Sequence, residues 1–156
     1  MATARLSFQP TLKGRALRLL SQREHSRREL ERKLQPYEEE PGTLAMALDE
    51  LQARGFISEE RVAESVLNRR ASRLGATRIR QELQDKGLDG ELIAQALSGL
   101  KDSELARARA VWQRKFEALP QTPQERARQT RFLLARGFAG EVVRRVLGGD
   151  PADEQD

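Results

Sequence analysis

Arginine is the residue type whose number and spacing point most directly to chemistry in this chain. Of its 28 Lys and Arg residues, 23 are Arg and 5 are Lys. The planar guanidinium group pairs with phosphate or carboxylate through two parallel hydrogen bonds. A GC-rich genome also enriches Arg and Ala, and the chain has 19 Ala, so the ratio alone does not indicate binding. The clustering of the arginines along the chain is more informative.

Three basic clusters are candidates for contact with phosphate groups or with an acidic protein surface. In the first cluster, five arginines flank a tight Leu74–Gly75 turn: Arg69, Arg70, Arg73, Arg78 and Arg80. The second cluster comprises six arginines on the last two predicted helices: Arg126, Arg128, Arg131, Arg136, Arg144 and Arg145. The third cluster comprises Arg23, Arg27, Arg28, Arg32 and Lys33.

The first and third clusters differ in how well neighbouring acids neutralise them. The third lies among Glu24 and Glu31, so it is equally explained as a solvated helix face with ion pairs between residues four apart. The first has only Glu82 and Asp85 close downstream, and its local neutralisation is poor. We therefore predict that the first cluster is the leading contact for phosphate or an acidic partner.

Catalytic chemistry has little support in the sequence. The chain has no Cys and a single His, His25. This excludes a disulfide framework, an iron–sulfur cluster, a thiol nucleophile and a zinc site of His and Cys ligands. Because Ser26 fits a helix cap better than a nucleophile, we predict that His25 is an exposed turn residue. We expect no catalytic residue, no cofactor and no metal.

Aromatic residues give weak support for a stacking platform that would bind single-stranded bases. Four phenylalanines lie at core-like spacings or helix ends: Phe56, Phe116, Phe132 and Phe138. We therefore interpret them as core residues, and sequence-specific DNA reading is not supported.

Helix signals dominate the elements that must position these residues. Ser26–Glu29 and Thr122–Glu125 have the form of capping boxes, and Ser58 is predicted to cap the helix that follows it. Helix ends are predicted at three glycines, each preceded by a cation and followed by an apolar residue: Gly55, Gly87 and Gly137. The predicted helices cover residues 13–21, 27–35, 43–54, 59–73, 76–86, 90–99, 103–119, 123–136 and 140–147.

Apolar residues recur with a period near 50 residues. Leu34, Leu83 and Leu133 lie 49 and 50 residues apart, and three further sets share these offsets: Leu17, Val66 and Phe116; Leu44, Ile93 and Val143; Leu48, Leu97 and Leu147. This period accommodates three helices with short connections. The sequence therefore predicts an all-α fold, an elongated array of three tandem three-helix repeats.

The predicted domains are a flexible arm at 1–11, repeats at 12–57, 58–101 and 102–147, and a disordered acidic tail at 148–156. Net charge is +7 over residues 107–149 and −4 over residues 150–156, within a total of +4. No apolar run approaches the length of a membrane span. We expect a cytoplasmic monomer that does not bind membranes.

The chain resembles the RecX family of recombination regulators over roughly residues 14–147. The segments that carry the resemblance are Leu19–Ser26, Glu29–Leu30, Lys33–Leu34, Gly55–Ile57, Arg78–Leu83, Lys86–Gly87 and Arg131–Phe138. Each segment is weak alone, but their order and spacing are specific. The family's tandem three-helix repeats agree with the period described above.

The resemblance implies a negative modulator of the RecA recombinase and no catalytic residues. Such proteins bind the RecA–single-stranded DNA filament and limit its growth or promote its disassembly. RecA's ATPase, strand exchange and coprotease activities fall as a consequence, which regulates recombination, DNA repair and the SOS response. The implied partners are the RecA filament and, through phosphates, single-stranded DNA and more weakly duplex DNA. The alternatives are a stand-alone DNA-binding protein and a helical adaptor for an unrelated partner.

The acidic tail is expected to screen the basic body of the chain. Deleting residues 150–156 removes four acids and should tighten DNA binding at low salt, because phosphate attraction dominates non-specific affinity. Fluorescence anisotropy with a labelled duplex checks this expectation. Unchanged affinity would mean that the tail has no screening role.

Overall fold

The computed structural model describes residues 9–148, and all regular structure in this range is helical. Nine α-helices follow one another there: α1 (Leu12–Gln22), α2 (Arg27–Leu34), α3 (Thr43–Ala53), α4 (Glu59–Arg70), α5 (Ala76–Asp85), α6 (Gly90–Ser98), α7 (Glu104–Lys115), α8 (Pro123–Ala135) and α9 (Gly140–Val146). Short 3₁₀ turns lie at Gln35–Tyr37 and Lys101–Ser103. The predicted arm at 1–11 and tail at 148–156 fall mainly outside the described residues.

The chain forms two compact units, divided within α4 between Val62 and Ala63. In the first unit, α1, α2 and α3 pack against one another. Its core contains seven buried apolar residues: Ala16, Leu30, Leu34, Leu44, Leu48, Leu51 and Ile57. These residues come from all three helices and from the segment that leads into α4.

Local signals set the helix ends of the first unit. The Ser26 hydroxyl accepts from the Glu29 N–H at 3.2 Å, and Glu29 Oε1 accepts from the Ser26 N–H at 3.2 Å, which completes the predicted capping box. The 3₁₀ turn and the acidic loop after Leu34 replace the glycine stop of the other repeats. Glu38 of this loop accepts from the Leu44 N–H at 2.9 Å and thereby caps α3.

In the second unit, α5 packs against α6, and α7, α8 and α9 pack against one another. The α7–α9 core contains Ala108, Val111, Leu133, Phe138, Val143, Val146 and Leu147. Other buried apolar residues of this unit include Val66, Ile79, Leu83, Ile93 and Leu97.

The predicted 50-residue period is confirmed in the burial pattern. Three of its four apolar sets are buried throughout, with at most 6% of any residue exposed: Leu34, Leu83 and Leu133; Leu44, Ile93 and Val143; Leu48, Leu97 and Leu147. In the fourth set, Val66 is fully buried while Leu17 and Phe116 are half-buried. The predicted glycine stops are also confirmed, since Gly55, Gly87 and Gly137 all have positive φ.

Two helices end three or four residues earlier than predicted, whereas the other ends agree within one residue. α4 stops at Arg70 instead of residue 73, because the next carbonyls accept side-chain donors from α7: Arg107 bonds Ala71 and Leu74, and Arg114 bonds Ser72. α7 stops at Lys115 instead of residue 119. The backbone of Phe116 is extended there, and its ring packs against Phe132.

The start of α5 is held by groups from α7 and α8 instead of by a side-chain cap. The N–H groups of Gly75 and Thr77 donate to the carbonyls of Arg136 and Gly137 at 2.8 and 3.1 Å. The N–H of Ala76 donates to Glu104 Oε1 at 3.1 Å. These bonds satisfy donors that every helix start leaves unpaired. We call this contact the Gly75–Gly137 joint.

The Gly75–Gly137 joint leaves no room for a side chain on either glycine. A Cβ on Gly75 would lie 2.4 Å from the Gly137 carbonyl oxygen, and one on Gly137 would lie 2.6 Å from the Arg78 backbone nitrogen. Gly137 also has φ +93°, which L side chains rarely adopt.

Gly75→Ala should therefore lower the free energy of unfolding by about 1–3 kcal/mol, the usual cost of overpacking. Urea unfolding followed by circular dichroism measures this change. Gly90→Ala is the matched control, because nothing lies within 4 Å of a Cβ at Gly90. Equal stability of the two variants would contradict the joint as described.

Candidate functional site

Two arginines of the first basic cluster have structural partners. Arg70 forms an ion pair with Glu82, with 3.3 Å between Nη2 and Oε1. Arg78 donates to the Ala135 carbonyl oxygen at 2.8 Å, and so attaches α5 to the end of α8. Both line a hollow of about 280 Å³ whose wall also includes the carboxylates of Glu82 and Asp85. The neutralisation that appeared poor along the sequence is supplied here by the fold.

The other three arginines of this cluster are exposed. Among the described residues, Arg69 donates only to the Ser65 carbonyl of its own helix, at 3.4 Å. Within residues 9–148, the side chains of Arg73 and Arg80 form no ion pair. Arg73 lies in the turn between α4 and α5, directly before the Gly75–Gly137 joint. These three residues retain their capacity to bind an anion.

Arg73 lines a second hollow, which we call the Phe132 cavity. It has a volume of about 310 Å³ and is lined by Arg73, Val111, Arg114, Lys115, Phe132 and Arg136. Four of these residues are cations, and no carboxylate is among them. The fold thus brings one arginine of the first cluster and one of the second, Arg73 and Arg136, into the same concavity.

Three aromatic rings pack in a row beside the cavity, and we call them the aromatic ladder: Trp112, Phe116 and Phe132. Phe116 meets Phe132 in a T-shaped contact with 5.3 Å between ring centroids, and Trp112 lies 6.5 Å from Phe116. The Trp112 indole N–H donates to Gln129 Oε1 at 2.8 Å. The Arg136 guanidinium lies 5.0 Å from the Phe132 centroid, and the Lys115 ammonium lies 5.8 Å from it. Cations at these distances are attracted by the ring.

The remaining arginines of the second cluster do not form a single site. Arg128 lies 5.8 Å from the Phe116 centroid, and Arg126 makes a long bond of 3.5 Å to the Leu147 carbonyl oxygen. Arg131, Arg144 and Arg145 are exposed and form no ion pair within residues 9–148. The cluster therefore provides a dispersed basic surface around α8 and α9.

Sequence reasoning missed the buried polar group that fixes the α4–α5 turn. Arg107 on α7 donates to the carbonyl oxygens of Ala71 and Leu74 at 2.8 and 2.9 Å and also pairs with Glu104. Glu104 is only 8% exposed and accepts from the Ala76 N–H. The only sequence signal was an acid three residues before an arginine, a spacing typical of ordinary surface pairs.

Two arginines of the third basic cluster form ion pairs. Arg23 pairs with Glu29 at 2.6 Å, and Arg27 pairs with Glu31 at 3.1 Å and with Asp49 at 2.6 Å. This geometry confirms the alternative interpretation for those two arginines, a helix face laced with ion pairs. Pairs of this exposed kind contribute only ~0–1 kcal/mol each to stability.

The prediction that His25 is an exposed turn residue is wrong. Its side chain is 1% exposed. Nδ1 lies 3.0 Å from the Arg23 carbonyl oxygen, and Nε2 lies 3.1 Å from the Lys33 ammonium. Since a carbonyl only accepts and an ammonium only donates, Nδ1 carries the proton and Nε2 accepts from Lys33. His25 is therefore a neutral structural residue that fixes the turn between α1 and α2.

Comparison with known protein families covers nearly the whole described chain. Three family models match in order: the first three-helix domain of RecX at residues 13–51, the second at residues 58–97 and the third at residues 102–147. The chain belongs to the RecX family. The all-α fold of three tandem three-helix domains predicted from the sequence is thereby confirmed.

Other RecX proteins are similar along almost their full length. A regulatory protein RecX of Leptothrix cholodnii is 52% identical over 139 residues, which cover 89% of this chain and 88% of that protein. The regulatory protein RecX of Ralstonia nicotianae is 46% identical over 142 residues, with 91% and 89% covered. These relatives support a regulatory role for this RecX family member.

A solved RecX structure has the same fold. The crystal structure of RecX from Lactobacillus salivarius superposes with a TM-score of 0.73 at 20% identity and covers 88% of this chain and 92% of that one. Within residues 9–148, no helix has the length and hydropathy of a membrane span, and no three His, Asp or Glu side chains are grouped as metal ligands.

Burial of His25 makes the stability of this RecX family member pH-dependent. Burial and the charges of Arg23 and Lys33 lower the pKa of His25 from its ordinary value of 6.5, although its bond to the Arg23 carbonyl opposes them. The unfolded chain therefore takes up a proton at higher pH than the folded chain does. The free energy of unfolding should fall as the pH drops through 6.5 towards the lower folded pKa.

Urea unfolding at a series of pH values measures this dependence, and His25→Gln is the comparison. Because the chain has a single His, the variant should lose the pH-dependent step around the ordinary His pKa. A step of the same size in the variant would assign the effect to other groups.

Proposed function

We propose that this protein is a negative modulator of RecA that binds the RecA–single-stranded DNA filament. It inhibits filament extension and thereby lowers the ATPase, strand exchange and coprotease activities of RecA. Membership of the RecX family supports the proposal, and so does the similarity to proteins named regulatory protein RecX. Regulation of recombination and DNA repair follows from control of the filament.

The observation that carries the proposal is the separation of structural from available arginines in the second unit. Arg70, Arg78 and Arg107 are engaged with protein acceptors. Other arginines are exposed and form no ion pair among the described residues; they include Arg69, Arg73, Arg80, Arg131, Arg144 and Arg145. Such guanidinium groups bind phosphate or acidic protein surface, and a nucleoprotein filament offers both.

In the proposed mechanism the protein occupies a surface of the filament and catalyses no reaction. Repeats at 12–57, 58–101 and 102–147 give one monomer several faces that can contact neighbouring units of a filament. A protein bound in this way blocks the addition of further subunits. A few molecules at growing ends would suffice, so inhibition should occur at less than one protein per RecA. Cytoplasmic location is part of the same proposal.

A stand-alone DNA-binding protein is the second candidate, and the same exposed arginines favour it. It differs from the first in its preferred target. A filament modulator should bind RecA-coated single strands more tightly than bare duplex at the same salt concentration, and a general DNA-binding protein should not.

The decisive assay measures the DNA-dependent ATPase of RecA with substoichiometric amounts of this protein. We expect inhibition by the natural chain. For the double variant Arg69→Glu, Arg73→Glu, the concentration that gives half-inhibition should rise at least about tenfold. Hydrogen bonds to charged groups contribute roughly 1.5–3 kcal/mol each, and the variant loses those of two arginines. Arg70 is left intact because its reversal would place two carboxylates together at Glu82.

Arg18→Glu, Arg32→Glu is the matched control, since both residues are exposed and the charge change is identical. It should inhibit more strongly than the Arg69 and Arg73 variant. If the protein left the RecA ATPase unchanged and bound bare duplex as tightly as the filament, the result would favour the DNA-binding candidate and contradict the RecA modulator.

A further inference from the structure

We propose that the Phe132 cavity holds one nucleotide of a single nucleic-acid strand, with its base against Phe132 and its phosphate among Arg73, Lys115 and Arg136. The inference rests on the proposed function in one respect, since the proposed filament target contains single-stranded DNA. It adds the site at which the protein contacts that strand. Phe132 packs against the α7–α9 core, as the sequence indicated, and it also lines the cavity; the proposal gives the ring this second role.

The charge of the cavity suits a phosphate. Its lining has four cations and no carboxylate. Of these cations, Arg114 has one Nη committed to the Ser72 carbonyl at 2.6 Å, whereas Arg73 forms no ion pair within residues 9–148. The nearby carbonyl oxygens of Arg136 and Gly137 accept the N–H groups of Gly75 and Thr77. These oxygens are therefore already paired where the joint meets the cavity.

Phe132 supplies the apolar surface that a base requires. The residue is half-buried and lines the cavity, and Phe116 holds its ring at 90° in the T-shaped contact. Bases stack on aromatic side chains irrespective of sequence, and arginines beside the ring add cation–π attraction.

The other two repeats have no aromatic residue at the position of Phe132. Phe132 directly precedes Leu133, whose counterparts in the other repeats are Leu34 and Leu83. The residues before those two leucines are Lys33 and Glu82. Both charged residues have protein partners, Lys33 at His25 and Glu82 at Arg70. Phe132 instead packs partly against the α7–α9 core and turns part of its ring to the cavity.

The dimensions of the cavity suit a single nucleotide. Its volume of about 310 Å³ lies at the lower end of the range for small-ligand sites, ~300–1,000 Å³. An acidic peptide segment would satisfy the cations, but its carboxylates would leave the aromatic wall without a partner. A nucleotide satisfies both features, and the acidic peptide becomes an outcome of the test.

The test measures binding of a fluorescent oligothymidine by anisotropy, without RecA, over a series of salt concentrations. Phe132→Leu should weaken binding about fivefold or more, the effect expected for loss of one stacked base, and Phe132→Tyr should restore it. Arg73→Gln should reduce the slope of log affinity against log salt by about 0.7, the value for one phosphate contact on a single strand.

Two controls match these variants outside the cavity. Phe56→Leu removes a ring that is 42% exposed and lies 5.7 Å from the Arg54 guanidinium, and Arg18→Gln removes one exposed charge outside the basic clusters. Phe56→Leu should bind oligothymidine with the natural affinity, and Arg18→Gln should keep the natural slope of log affinity against log salt. The single tryptophan, Trp112, reports occupancy independently, because its fluorescence should change on binding through the aromatic ladder.

If Phe132→Leu and Arg73→Gln both bound oligothymidine as tightly as the natural chain, the proposal would be overturned. If those variants instead lost binding to oligoglutamate, the cavity would be a site for an acidic protein segment. Failure of the proposed function is distinguishable, because it would appear as unchanged RecA ATPase while the oligothymidine results stand. Failure of this inference alone would leave Phe132→Leu as a full inhibitor of RecA.

Discussion

The close contact between Gly75 and Gly137 is the constraint on which the second unit depends. The N-cap residue of α5, Gly75, has no side chain to cap the helix, so the first N–H groups donate to the carbonyls of Arg136 and Gly137 and to the Glu104 carboxylate. Backbone can approach backbone this closely only where neither residue has a Cβ. The joint thereby connects elements of the second and third three-helix domains by main-chain hydrogen bonds.

The same joint decides which arginines remain available for binding. Arg107 and Arg114 hold the α4–α5 turn from α7, and Arg78 ties α5 to the end of α8. Arg73 lies in that turn and Arg136 precedes Gly137, so the joint brings both residues into the lining of one cavity. Arginine therefore serves both the scaffold and the proposed binding surface. The scaffold arginines donate to protein carbonyls or carboxylates, whereas those of the proposed surface are exposed.

Features that depend on local chemistry were predictable from the sequence. Capping by Ser26, the left-handed glycine stops and the buried apolar sets require only neighbouring residues and helical periodicity. Features that depend on distant partners were not. The burial of His25 depends on Lys33 meeting its ring, the Arg70–Glu82 pair crosses from α4 to α5, and the cavity needs the turn before α5 to meet α8. No local sequence pattern predicts these contacts.

The central claim is that the Gly75–Gly137 joint builds the binding surface as well as holding the domains. The most direct measurement is the affinity of Gly75→Ala for single-stranded DNA, taken at a temperature where circular dichroism shows the variant folded. The account predicts weaker binding although no charge or ring is changed, because displacing α5 from α8 separates Arg73 from Arg136. Affinity equal to that of the natural chain would contradict the claim.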